Sequence, residues 1–359
     1  MGMRSEDYHN LLDNSEVYRR EPYMKAFSIV DRYLECFSKY YHLGLEVGEK
    51  IKDFIPSRIV YLGIGGSAIA GDFINIITEE VPVIVHRDYM VFRSNPDDLI
   101  IAVSYSGDTA EIFPTLLKNL ELNRRMIMIT SDGRLRKLAE KMNFPSIILE
   151  PGIPPRYAFP HTLGALLGLI QSLGIKIETL SGSIVETGKI KENFVPETPT
   201  AKNLAKKSAS KIVGMLPIVY GYGKAVPIAY RLKCQLNENS KIFSHFCEVP
   251  EAFHNDVEIL NEKTVLLAPR LSNEPNEIDE AYRALSSFLR ENYIELKVPA
   301  GNFLSEILSL LILVDYISLY AAILRNVDPL ALYVIPKLKD NNRNYQEILK
   351  NVDERLGKI

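Results

Sequence analysis

The feature that most constrains this chain is a series of short apolar runs, most of them followed by a stretch of helical pattern. RIVYLGIGGS (58–67), VPVIVHRDY (81–89), DLIIAVSYSGDT (98–109), RMIMITSDG (125–133) and SIILEPG (146–152) are the runs of the first half. Helical patterns lie at 67–79, 109–121 and 134–142, and a longer one at 159–173 closes the half. Short buried β-forming runs separated by helices predict a doubly wound parallel sheet flanked by helices. A second alternation follows, with strands at 216–223, 264–270 and 294–300 and helices at 224–239, 277–292 and 303–324. Each half has a Gly-rich strand-to-helix turn near its start. Two amphipathic helices are predicted at 5–20 and 22–42, and a polar one near 343–356. Residues 178–200 lack a clear period and hold Gly182, Gly188, Pro196 and Pro199, so they read as the connection between halves.

The expected fold class is therefore α/β, with two doubly wound domains plus N-terminal helices. The boundaries are 1–50 for a helical extension, 51–180 and 198–335 for the two α/β domains, and 336–359 for a tail. A length of 359 residues suits two domains.

Charge narrows the function classes. Lys plus Arg is 42 against 45 Asp plus Glu, with no basic excess to suggest nucleic acid. An anionic ligand would have to be caught by local geometry. The three cysteines, Cys36, Cys234 and Cys247, form no C-x-x-C pair, which argues against a disulfide framework and a thiolate zinc site. The six histidines contain no H-E-x-x-H or H-x-H pair, so no metal is expected. The N-terminus lacks an apolar signal core, and the thiol usage fits a reducing cytosol, so the expected location is cytoplasmic. The apolar stretch 308–324 has Asp315 near its centre and reads as a buried helix, not as a membrane span.

Two loops could carry chemistry. Gly63-Ile64-Gly65-Gly66-Ser67 follows a predicted strand and opens a predicted helix, where free N–H groups and the helix dipole favour an anion. Ser67 either contacts that anion or caps the helix. No Gly-Lys-Ser/Thr follows, so this is not a P-loop; Gly63, Gly65, Ala68 and Asp88 leave a dinucleotide fingerprint open. Ser104-Tyr105-Ser106-Gly107-Asp108-Thr109 ends another predicted strand, where open α/β sheets bind ligands. Its three hydroxyls around a glycine suit a phosphate monoester better than a dinucleotide.

G-x-G-G-S followed by S-x-S-G-[ND]-T resembles the sugar isomerase (SIS) domain, which holds phosphosugars. Three further stretches resemble one branch of that family: Gly152-Ile153-Pro154-Pro155-Arg156, Gln235-Leu236-Asn237-Glu238-Asn239, and Pro250-Glu251-Ala252-Phe253-His254-Asn255. The branch is the bifunctional phosphoglucose/phosphomannose isomerase family, matched in motif order from about residue 58 to 340. The resemblance implies two SIS domains and interconversion of glucose 6-phosphate and mannose 6-phosphate with fructose 6-phosphate through a cis-enediolate, without metal or cofactor. It implies a homodimer with active sites at the subunit interface, and no membrane or nucleic-acid partner.

Such a reaction needs a base, a group that opens the ring, and positive charge near the oxyanion. The resemblance places the base at Glu238, ring opening at His254 and Lys339, and enediolate stabilisation at Arg156. In the family the histidine reaches the site from the partner subunit. Gly66, Ser67, Ser104, Ser106 and Thr109 would hold the phosphate. Pattern alone reads Glu238 as a surface helix residue, His254 as a turn residue, Arg156 as part of a Pro-rich turn and Lys339 as a solvated tail lysine. Lys337 stands two residues from Lys339 and competes for its role.

The chain departs from the family in two places. It lacks tryptophan, where relatives often have one just ahead of Q-x-N-E-N, and it carries Asp108 where asparagine is commoner. An acidic side chain near a phosphate weakens binding unless it turns away to cap a helix. A non-catalytic phosphosugar-binding SIS regulator is the competing reading; retention of Glu238, His254 and Arg156 argues against it. The isomerase half of a glucosamine 6-phosphate synthase would need a glutaminase domain, which the chain lacks.

Overall fold

The computed structural model describes residues 5–78, 80–178 and 180–358. The chain divides into two compact units. One comprises the residues through Arg32 with Glu178–Ala331; the other comprises Tyr33–Ile177 with the residues from Leu332 on. Neither unit is a continuous stretch. The segment expected as one extension is shared out, and the tail belongs with the first sheet.

The unit built on the first sheet has five strands: β1 Arg58–Leu62, β2 Val83–His86, β3 Asp98–Ser104, β4 Arg125–Thr130 and β5 Ser146–Ile148. Their order is β2-β1-β3-β4-β5 and every pairing is parallel. All seven residues of β3 are buried, as a central strand covered on both faces requires. Helices α3 (Tyr33–Gly48), α4 (Gly66–Ile77), α5 (Phe113–Glu121), α6 (Gly133–Lys141) and α7 (Phe159–Ser172) accompany it. The tail adds α13 (Ile335–Asn341) and α14 (Arg343–Lys358). Tyr345, Leu349, Val352 and Leu356 of α14 enter the core with Ile112, Leu116, Leu135 and Leu138. The tail helix is thus a structural part of this unit.

Helices α3 and α7 approach backbone to backbone. A Cβ on Gly44 would stand 2.1 Å from Ala165 O, and one on Gly168 1.9 Å from Tyr41 O. Only glycine permits that approach.

The other unit has a four-stranded parallel sheet in the order β7-β6-β8-β9, from β6 (Leu216–Tyr222), β7 (His245–Val249), β8 (Thr264–Pro269) and β9 (Tyr293–Leu296). Its helices are α1 (Ser5–Asp13), α2 (Tyr23–Asp31), α8 (Leu180–Lys191), α9 (Leu204–Ile212), α10 (Val226–Glu238), α11 (Asn276–Leu289) and α12 (Phe303–Leu324). Helix α12 is long and apolar enough to cross a membrane, yet Leu304–Leu324 are all buried in protein. Asp315 at its middle pairs with Arg231 of α10, at 3.0 and 2.6 Å, and accepts from Gln235 Nε2 at 2.8 Å.

Three sequence expectations need correction. Helix 22–42 breaks at Arg32, where the chain passes from one unit to the other; the apolar spacing continues through the break and gives no warning. The supposed connection at 178–200 contains α8, whose Ser183 and Thr187 bond to Asn302 and Ser305 at 3.0 and 3.4 Å. Strand β7 was not expected: four of its five residues are at least partly exposed, so the run lacks a strong apolar signal.

Candidate functional site

The glycine loop stands between β1 and α4. Gly65 takes φ +58 at the helix N-cap, a conformation that favours glycine. No side chain caps this helix, so Ser67 is not its cap. Its half-buried hydroxyl makes no hydrogen bond among the described residues, while its carbonyl accepts from Tyr61 Oη at 2.6 Å. Ala68 N–H bonds back to Gly65 O at 3.0 Å, leaving the Gly66 and Ser67 N–H groups ahead of the helix ladder. The dinucleotide alternative loses its acidic partner: β2 ends at His86, and Asp88 accepts from Met90 N–H at 3.0 Å in a turn.

The hydroxyl loop leaves the neighbouring strand, β3. Ser104 Oγ and Thr109 Oγ1 are 2.8 Å apart, and Asp108 N–H donates to Ser106 Oγ at 3.3 Å. Gly107, at φ +73, presses on the turn after β4; a Cβ there would stand 1.7 Å from Asp132 O. Ser131 ties the same turn to Tyr105 O through its N–H at 3.0 Å and its hydroxyl at 2.6 Å.

The Arg156 segment joins these loops. A Cβ on Gly66 would lie 3.5 Å from Arg156 Cα, so the glycine loop and this turn adjoin. Tyr105 Oη donates to Glu150 O at 2.8 Å and accepts from Ile153 N–H at 3.2 Å. The variable position of the hydroxyl motif thus anchors the chain that leads into Arg156. Arg156 is 3% exposed, with its guanidinium 5.0 Å from the Tyr157 ring centre.

Asp108 turns away from the loop's hydroxyls. Its Oδ1 accepts from Arg134 N–H at 3.1 Å and Arg134 Nη1 at 2.9 Å, which caps the first turn of α6. Arg134 in turn holds Asp353 of α14 at 2.8 and 2.7 Å. The structure also separates the two tail lysines. Lys337 is exposed; Lys339 is half-buried, with Nζ 5.6 Å from the centre of the Tyr345 ring. Tyr345 Oη donates to Asp108 O at 2.5 Å. Ser67, Ser104, Ser106, Thr109, Arg156 and Lys339 therefore share one unit.

Glu238 and His254 belong to the other unit. Glu238 is the last residue of α10 and is half-buried. Its motif neighbours are pinned: Gln235 to Asp315, Asn239 Nδ2 to Ser318 Oγ at 2.9 Å, and Asn237 Nδ2 to Ile242 O at 2.8 Å. Asp315 and Ser318 are three residues apart on α12, so one face of that helix fixes the end of α10. His254 is exposed on the turn Glu251–His254 that follows β7.

The two sheets share the order of their first four strands, so the carboxyl end of β8 is the counterpart of the hydroxyl loop after β3. Here protein carboxylates take the donors. Glu306 Oε1 accepts from Ser272 N–H at 2.9 Å and Ser272 Oγ at 2.7 Å; Glu274 Oε1 accepts from Leu271 N–H at 2.9 Å. Sequence reasoning missed this occupied loop, and also Tyr105 and Tyr345, because Glu306 and the partners of both tyrosines are distant in sequence. Among the described residues, no group of three or more His, Cys, Asp or Glu could hold a metal ion.

Residues 201–341 match the family model described as bacterial phospho-glucose isomerase C-terminal SIS domain. A bifunctional phosphoglucose/phosphomannose isomerase of Caldicellulosiruptor bescii is 33% identical, over 85% of this chain and 95% of its own length. A D-glucosamine-6-phosphate 4-epimerase of Sulfolobus acidocaldarius is 30% identical, over 80% and 90%. Among solved structures, a hypothetical protein of Thermus thermophilus superposes with a TM-score of 0.70 at 17% identity, over 95% and 94%.

Proposed function

We propose a residue-level account that proceeds from an established kinship: this chain belongs to the bifunctional phosphoglucose/phosphomannose isomerase family. It is an aldose–ketose isomerase. Its substrates are glucose 6-phosphate and mannose 6-phosphate, each interconverted with fructose 6-phosphate. Both α/β units are SIS domains, and the working molecule is a cytoplasmic homodimer.

The phosphate is held by the Ser67, Ser104, Ser106 and Thr109 hydroxyls and by the N–H groups of Gly66 and Ser67. Neutral donors at a helix N-terminus suit a dianion without a large basic field. His254 and Lys339 move the protons that open the ring, and His254 serves the partner subunit's site; its exposure supports that role. Glu238 takes the C2 proton of the open aldose. The electron pair forms the C1–C2 double bond as the C1=O π pair moves onto O1, giving a cis-enediolate. The O2 proton passes to O1, and Glu238 returns its proton to C1 as the C2=O bond of the ketose forms. The Arg156 guanidinium balances the oxyanion. Glucose and mannose 6-phosphate differ only in the face of C2 that exchanges the proton, so rotation about C2–C3 admits both.

The observation that carries this reading is the meeting of the glycine loop, the hydroxyl loop and the Arg156 turn in one unit, joined by Gly66 and Tyr105. A coupled assay containing EDTA tests it, with glucose 6-phosphate and mannose 6-phosphate supplied separately. Turnover of both is expected. Saturable fructose 6-phosphate binding with no turnover would favour the regulator. Glucosamine 6-phosphate in a third arm tests the epimerase reaction named for the second relative.

A further inference from the structure

We propose that Tyr345 is a positioning residue: it ties the hydroxyl loop to Lys339, so that the tail and the phosphate site move as one piece. The inference rests on the isomerase reading above.

Tyr345 is 4% exposed and uses both of its functional surfaces. The hydroxyl donates to the carbonyl of Asp108, the residue directly before Thr109. The ring lies beneath the ammonium of Lys339, a contact that holds a cation in place without neutralising it. Burial above all, with Glu111 and Asp108 adding, pushes the phenol up to about 12, so it remains a donor at neutral pH. Asp108 is therefore gripped twice by the tail, at its carbonyl by Tyr345 and at its carboxylate through Arg134 and Asp353. The packing of α14 does not need the hydroxyl. Leu349, Val352 and Leu356 supply its remaining core contacts, and phenylalanine would fill the place of the Tyr345 ring.

The two surfaces can be separated. Tyr345→Phe keeps the ring and removes the donor. It is expected to raise KM for the sugar phosphates about three- to tenfold with kcat within about twofold. Tyr345→Leu removes the ring as well and is expected to lower kcat about tenfold. That loss should vanish in a Lys339→Met background, because the ring acts on kcat through Lys339. Leu349→Ala, one turn along α14, is the packing control; it should lower the melting temperature without this division between KM and kcat.

Wild-type kinetics in Tyr345→Phe would overturn the proposal. So would the same kinetic division in Leu349→Ala, or a Tyr345→Leu loss that persists with Lys339→Met. If the wild-type protein turns over neither substrate, the isomerase reading fails separately. Fructose 6-phosphate affinity by calorimetry then tests the loop connection, and an unchanged value in Tyr345→Phe overturns it.

Discussion

The role proposed for Glu238 rests on how its neighbours are held. Three polar residues around it in Q-x-N-E-N make fixed hydrogen bonds to α12 or to nearby backbone, and Glu238 ends the helix half-exposed. Glu238→Gln keeps the shape and removes the proposed base. We expect turnover to fall by about two to four orders of magnitude while fructose 6-phosphate binding, read by calorimetry, stays near wild type. Activity close to wild type would remove Glu238 from the mechanism. Asp108 shows the limit of sequence at this scale. From sequence its carboxylate either weakens phosphate binding or caps a helix, and local pattern does not choose between the two. The structure turns it onto α6 and Arg134, whose position depends on how α6 and α14 pack.

At the scale of elements, α10 and α12 are joined by charge inside an apolar setting. The Arg231 and Asp315 side chains are 1% and 0% exposed, and their fork-to-carboxylate geometry is bidentate. Removing one partner leaves a buried, uncompensated charge. Asp315→Ala should therefore lose about 3–5 kcal/mol in urea unfolding, while the double change Arg231→Met with Asp315→Leu should recover most of that loss. An additive double variant would show that the pair is not coupled. The sequence flagged Asp315 as incompatible with a membrane span but could not supply Arg231, which is 84 residues away. The close approach of α3 and α7 was legible in principle, because each helix carries two glycines four residues apart: Gly44 and Gly48, Gly164 and Gly168. Helical periodicity in apolar residues does not register such a pattern, since glycine adds no apolar side chain.

At the scale of the whole molecule, the proposed homodimer makes a direct prediction. If His254 serves the partner's site, a mixture of Glu238→Gln and His254→Ala subunits should regain part of the activity that each lacks alone. In mixed dimers one of the two sites then holds both groups. No recovery after subunit exchange, verified by mass spectrometry of the mixed species, would place His254 in its own subunit's site. The two units also differ in the groups they present at these loops. The loop after β3 presents hydroxyls, whereas its counterpart after β8 is filled by the carboxylates of Glu306 and Glu274. A phosphate there would meet negative charge in place of donors.

The sequence by itself determined what depends on neighbours along the chain. The alternation of apolar runs and helical patterns specified parallel α/β halves. Glycine and hydroxyl clusters marked the strand-to-helix turns, and linear motifs identified the family and nominated Glu238, His254, Arg156 and Lys339. Tertiary structure decided what depends on chain crossing. It divided the N-terminal helices between the units at Arg32 and folded the tail into the core of the first sheet. It also brought Tyr345 onto the Asp108 carbonyl, 237 residues earlier. Local patterns report the face an element must bury. The partner that covers it is chosen by shape, charge and hydrogen bonding between segments whose separation in sequence carries no signal.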